Sequence, residues 1–260
     1  MDNPIGIFDS GVGGTSIWKA IHQLLPNEQT IYLADSKNAP YGEKTKNEIL
    51  ELSIKNTEFL LNGNCKLIVV ACNTATTNAI DFLRTSYKVP FIGIEPAIKP
   101  AALQTKTKKV GVLATKGTLS SSLFHSTSRL YAEGIEVIEQ EGQGLVELIE
   151  AGKVNSQEIK SLLQNYLQPM LKANVDCLVL GCTHYPYLIK TLRELLPDTV
   201  KIIDSGEAVA RQTKAVLEKH GIRNVGSKVP QENVFYSNSD ISVLKGLLGE
   251  GSHKVQYLDF

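Results

Sequence analysis

The chain has 260 residues, enough for one large domain or two small ones with a substantial core. Its 27 lysines and arginines balance its 27 aspartates and glutamates, and a net charge of zero argues against a general nucleic-acid surface. No apolar run reaches the roughly eighteen residues of a membrane span, so no membrane partner is expected.

Residues 1–8 carry no basic region ahead of an apolar run, so they read as the approach to a first strand rather than a signal peptide. In chain order the predicted strands are Ile5–Asp9, Thr30–Ala34, Leu67–Ala71, Phe91–Ile94, Lys109–Ala114, Ile135–Glu139, Cys177–Gly181 and Lys201–Asp204. The predicted helices are Thr15–Leu25, Lys46–Asn62, Ala75–Ser86, Ser120–Glu133, Gly144–Ala151, Ser156–Ala173, Tyr187–Leu196 and Ala208–His220. Strands that alternate with helices signal an α/β architecture with parallel sheets. Pro26, Pro90 and Pro197 fall between elements, where a missing N–H does least harm. The tail adds a strand at Asn233–Ser237 and a helix at Ile241–Leu248, α/β material expected to return to the first domain. The predicted division is therefore residues 1–94 plus 208–260 in one unit and 95–207 in the other, parting near Ile94-Glu-Pro-Ala97.

Two segments look like copies of one another. Leu67-Ile-Val-Val-Ala-Cys72-Asn-Thr74 and Leu178-Val-Leu-Gly-Cys182-Thr-His184 each run from an apolar stretch through a small residue to a cysteine and a polar pair. Such a run reads as a buried parallel strand, whose C-terminal end is where α/β proteins bind ligands. Each cysteine then precedes a helix, where amide donors and the helix dipole favour a thiolate. Cys65 and Cys177 stand at the starts of their runs and read as small buried hydrophobes. None of the four cysteines has a zinc spacing, and reduced thiols in the cytoplasm are the simplest account.

Asp9-Ser-Gly-Val-Gly-Gly14 lacks the spacing of a nucleotide loop. It reads either as glycines that let backbone amides approach a small carboxylate or as a tight turn capped by Asp9. An Asp-Ser-Gly tripeptide recurs at Asp204, which supports duplication. Pro40-Tyr-Gly42 reads as a turn projecting an aromatic hydroxyl. A hydrolase built on Cys182 and His184 would have no use for a second thiol. Proton transfer on both faces of one carbon needs two groups, so the doubling favours a two-base isomerisation.

Phe8-Asp-Ser-Gly-Val-Gly-Gly14, Pro40-Tyr-Gly42, Val70-Ala-Cys-Asn-Thr-Ala75, Leu180-Gly-Cys-Thr-His-Tyr-Pro186 and Ile203-Asp-Ser-Gly-Glu207 resemble, in order and spacing, the signature blocks of the bacterial glutamate racemase family. The chain departs from the pattern at Ala34, where the family usually has glycine, and residues 145–152 resemble the family's proline-containing version only loosely. The resemblance implies two pseudo-symmetric α/β/α domains with mainly parallel sheets and an active site in the cleft between them. It implies cofactor-independent interconversion of L- and D-glutamate without a metal, a cytoplasmic homodimer, and supply of D-glutamate for peptidoglycan, hence for cell-wall biogenesis and cell shape. The catalytic thiols map onto Cys72 and Cys182, the first acting on the D-enantiomer and the second on the L-enantiomer. The assisting residues map onto Asp9, Glu150 and His184, and the substrate contacts onto Asp9, Ser10, Tyr41, Gly42, Asn73, Thr74, Thr183 and His184. An aspartate-specific isomerase of the same superfamily is the nearest alternative.

Overall fold

The computed structural model describes residues 3–226 and 232–260. Among the described residues, ten parallel strands form two sheets. They are β1 Ile5–Asp9, β2 Thr30–Ala34, β3 Leu67–Val70, β4 Phe91–Gly93, β5 Lys109–Ala114, β6 Glu136–Glu141, β7 Cys177–Gly181, β8 Lys201–Ile203, β9 Asn233–Ser237 and β10 His253–Tyr257. The helices are α1 Thr15–Leu24, α2 Lys46–Asn62, α3 Asn73–Ser86, α4 Ile98–Gln104, α5 Lys116–Leu119, α6 Ser122–Tyr131, α7 Leu145–Glu150, α8 Gln157–Ala173, α9 Ile189–Leu195, α10 Gly206–Lys219 and α11 Ser242–Leu248. Parallel neighbours cannot be joined by a tight turn, so helices carry most crossovers. No helix among the described residues is long and apolar enough to cross a membrane.

The first sheet runs β10-β9-β2-β1-β3-β4 and the second β6-β5-β7-β8. Both are wound alike. From β1 the chain goes out to β2 on one side and returns to β3 on the other, and from β5 it goes out to β6 and returns to β7. Each reversal opens a crevice at the carboxyl ends of two central strands, the place where open α/β sheets bind ligands. Asp9 and Cys72 stand at the first reversal, Thr115 and Cys182 at the second. The central strands β1, β3 and β7 are buried along their whole length, while β6, β8 and β10 form half-exposed edges.

Local signals fix several ends. Thr45 and Glu48 form a reciprocal capping box at α2. Ser156 caps α8, and Asn174 ends it in the left-handed conformation that asparagine tolerates. The structure departs from the expected elements at four points. The helix expected over 120–133 is the shorter α6, which Ser121 starts by accepting the Phe124 amide, and the separate turn of α5 before it was not expected. The helix expected from Tyr187 begins as a 3-10 turn over Tyr185–Leu188. Helix α4 forms although Pro100 lies in its first turn, where a proline costs no intrahelical bond. Strand β10 was not expected, because its residues alternate without a fully buried face.

Candidate active site

The loop after β1 is built for close approach. Asp9 is fully buried, and its Oδ2 accepts the Gly14 amide at 2.7 Å. A Cβ on Gly11 would fall 2.0 Å from Glu150 Oε1, and one on Gly13 would fall 2.3 Å from His184 Nδ1. Only glycine admits those side chains from the second sheet's region. The Val12 N–H donates to Glu150 Oε1 at 2.7 Å, so the carboxylate this loop receives is the protein's own.

Cys72 is the N-cap of α3. Its sulfur accepts the Ala75 N–H at 3.4 Å and lies 3.7 Å from Ser10 Oγ, to which the thiol donates. Burial, then the neighbouring Asp9 carboxylate, push the Cys72 thiol well up, against the Ala75 and Ser10 hydrogen bonds. Asp9 itself is raised to about 6, chiefly by burial, with the His184 charge and the Gly14 amide opposing. Asn73, on the same turn, is buried with neither amide atom hydrogen-bonded among the described residues. Thr74 Oγ1 lies 2.8 Å from Thr115 Oγ1 and 3.4 Å from Thr118 Oγ1.

Cys182 is held differently. No α-helix starts behind it, contrary to the sequence expectation, because the chain turns into the 3-10 segment. Its sulfur lies 3.7 Å from His184 Nδ1 instead. His184 Nε2 is 2.5 Å from Glu150 Oε1, and Ser36 Oγ donates to Glu150 Oε2 at 2.8 Å. Burial opposes a charge on His184, but the hydrogen bonds and charges of Cys182 and Glu150 outweigh it and hold the imidazole well above its ordinary range. Burial likewise opposes charge on Glu150, yet hydrogen bonds from His184, Ser36 and Val12 leave it below the usual glutamate range. The surroundings favour the charged form of an imidazole set between a sulfur and a carboxylate, and the Gly13 N–H also reaches Nε2 at 3.3 Å. Thr183 Oγ1 donates to Asp9 Oδ1 at 3.3 Å and joins the two halves.

One cavity of about 240 Å³ brings together Ser10, Tyr41, Gly42, Cys72, Asn73, Thr74, Cys182, Thr183 and His184. Its lining closes tightly on itself, which excludes a drug-sized ligand. Asp9 and Glu150 stand behind this lining and touch the cavity residues rather than the cavity. The Tyr41 hydroxyl does not project into it. That hydroxyl donates to the buried Asp35 carboxylate and receives Asn56 Nδ2 at 3.2 Å, leaving the ring and Gly42 at the wall. The sequence reading missed Thr115, Val146 and Ser36. Thr115 carried a usable signal, since it directly follows β5 as Cys182 follows β7. Cys65 and Cys177 lie outside the cavity, and burial pushes both thiols up, Cys65 to about 12.

The family model described as Asp/Glu/Hydantoin racemase matches residues 5–213. The chain belongs to that family. It is thereby an enzyme, an isomerase of the racemase class. It is 47% identical over 252 residues to the glutamate racemase of Ectopseudomonas mendocina, covering 95% of each chain. It is 47% identical over 223 residues to that of Herpetosiphon aurantiacus, covering 86% of this chain and 88% of the relative. Among solved structures it is similar to Escherichia coli glutamate racemase in complex with L-glutamate and the activator UDP-MurNAc-Ala, with a TM-score of 0.86, 34% identity and 98% of each chain covered. It is also similar to the Francisella tularensis enzyme in complex with D-glutamate, with a TM-score of 0.85, 29% identity, and 99% and 98% covered.

Proposed function

We propose that this racemase interconverts L- and D-glutamate with two thiols and no cofactor, and that its D-glutamate feeds peptidoglycan synthesis. The observation that carries the reading is the pair of cysteines from two separate sheets lining one small buried cavity. Residues 1–94 with 208–260 carry one thiol and residues 95–207 the other. In the L-to-D direction Cys182, beside the His184 imidazole, takes the α-proton. Cys72, held as a thiol by its burial, delivers its own proton to the opposite face of the carbanion. The D-to-L direction reverses both transfers. The α-proton of an amino acid is weakly acidic, so the site must be dry and its dipoles set beforehand. Both sulfurs are almost fully buried, and Asn73 and Thr74 offer neutral donors to the substrate carboxylates, while Thr183 borders the substrate with its hydroxyl proton given to Asp9. The partnerless Asn73 amide suits that task, since a buried amide left without a bond is costly until a ligand supplies one.

The test is a circular-dichroism assay on metal-stripped protein with no added cofactor. Optical activity should decay from either glutamate enantiomer to zero. Turnover of aspartate with glutamate untouched would reassign the substrate. Full activity in Cys72→Ser would favour a thiol enzyme built on Cys182 and His184 alone.

A further inference from the structure

Cys72 is placed by the helix it caps, but Cys182 has no such support. The loop that carries Cys182 leans on the start of α1, which belongs to the first sheet. Ser16 Oγ donates to the Thr183 carbonyl at 2.9 Å. Farther along the loop, Tyr187 Oη and Thr15 Oγ1 are 2.5 Å apart. The direction of that bond follows from counting protons. The single hydroxyl proton of Thr15 goes to the Val12 carbonyl at 2.6 Å, so Tyr187 is the donor. Burial pushes the Tyr187 hydroxyl up to about 12, with Thr15 opposing and Asp9 assisting, so it keeps its proton through the neutral range.

Val12 thereby engages the Cys182 loop at two points. Its carbonyl connects through Thr15 to Tyr187. Its amide holds Glu150 Oε1, the atom that binds His184 Nε2. His184 in turn sits against the Cys182 sulfur. The loop is pinned at His184 by Glu150 and at Tyr187 by Thr15.

We propose, resting on the two-thiol reading above, that Tyr187 and Thr15 are positioning residues for Cys182. Their hydrogen bond spans the two sheets and holds the loop that sets the sulfur at its working place. Neither residue lines the cavity, and their action is through the loop alone.

Tyr187→Phe keeps the ring and removes only the hydroxyl. Enantiomers have equal free energy in water, so kcat/KM must fall by one factor in both directions. We expect about tenfold, within the roughly 100-fold that a small misplacement can cost. Isotope effects on kcat/KM with α-deuterated substrates then locate the damage. From L-glutamate the deuteron leaves to Cys182, and the effect should grow in the variant. From D-glutamate it leaves to Cys72, and the effect should shrink. Thr15→Val should repeat this pattern, Thr15→Ser should restore wild-type behaviour, and the Tyr187→Phe/Thr15→Val double variant should be no worse than either single. Unchanged isotope effects, equal changes for both enantiomers, or additive losses would overturn the inference. A wild-type enzyme that leaves glutamate unracemised would overturn the underlying reading instead.

Discussion

The two cysteine sites occupy equivalent places in two sheets wound the same way, yet they are held by opposite means. Cys72 caps α3 among neutral groups, with the Asp9 carboxylate behind it, and its thiol is driven up. Cys182 faces a histidine locked to a glutamate that favours its charged form. Strand order decides where the sulfurs stand, and the two or three residues after each strand decide the charge around them. On the two-thiol reading proposed above, a reaction between mirror-image substrates does not need mirror-image surroundings for its two bases.

Serine replacements break the comparison most severely. Cys72→Ser and Cys182→Ser should each lower racemisation by roughly two to four orders of magnitude, the worth of a positioned acid or base. Cys65→Ser and Cys177→Ser should remain near wild type, because those thiols lie outside the cavity. Similar losses at all four positions, read by the same polarimetric assay, would mean that folding rather than proton transfer is being measured.

His184→Asn and Glu150→Gln test the Cys182 side alone. Losing a charge-assisted hydrogen bond costs about 1.5–3 kcal/mol, or roughly ten- to a hundredfold in rate. The deficit should sit in the Cys182 transfer, with a larger isotope effect from α-deuterated L-glutamate than from the D-form. An equal change in the two would show that the pair serves both thiols.

The smallest effect belongs to Asp9, which borders both sites. Its folded value of about 6 exceeds its ordinary 3.8. The stability this confers is complete below about 3.8 and is lost as pH rises through 6, when the buried carboxyl ionises. The shift amounts to 6 − 3.8, about 2 pH units, or at most about 3 kcal/mol. Asp9→Asn should thus gain melting temperature over the wild type on going from pH 4 to pH 8, by several degrees in thermal melts. A difference that does not grow with pH would show that Asp9 is not the strained charge.

The central strands were legible because β1, β3 and β7 are buried on both faces and read as continuous apolar runs. The paired cysteines were legible for the same reason, since each ends such a run. Edge strand β10 carries no such run. The Tyr41 hydroxyl was misread because its partners, Asp35 and Asn56, come from two other elements that a turn motif cannot announce. The missing helix behind Cys182 was hidden for a similar reason. The polar pair after each cysteine looks alike in sequence, and only the tertiary contacts of Thr183, His184 and Tyr187 turn the second chain path away from an α-helix.

The order of the first sheet also sets a timetable for synthesis. Strand β2 pairs on its outer side with β9, which begins at Asn233, about 200 residues after β2 ends. At about 5–20 residues per second the ribosome needs roughly 10–40 s to deliver it. Throughout that interval β2 presents an open edge, the kind of surface on which nascent chains pair wrongly. The second sheet, complete by Ile203, has no such wait. Asn238, which follows β9, also ties down Asp35 and the Lys37 amide beside the Tyr41 turn, so the wall of the cavity is finished last. Chains cut short before Asn233 should scatter light on release from the ribosome, whereas the complete chain should not.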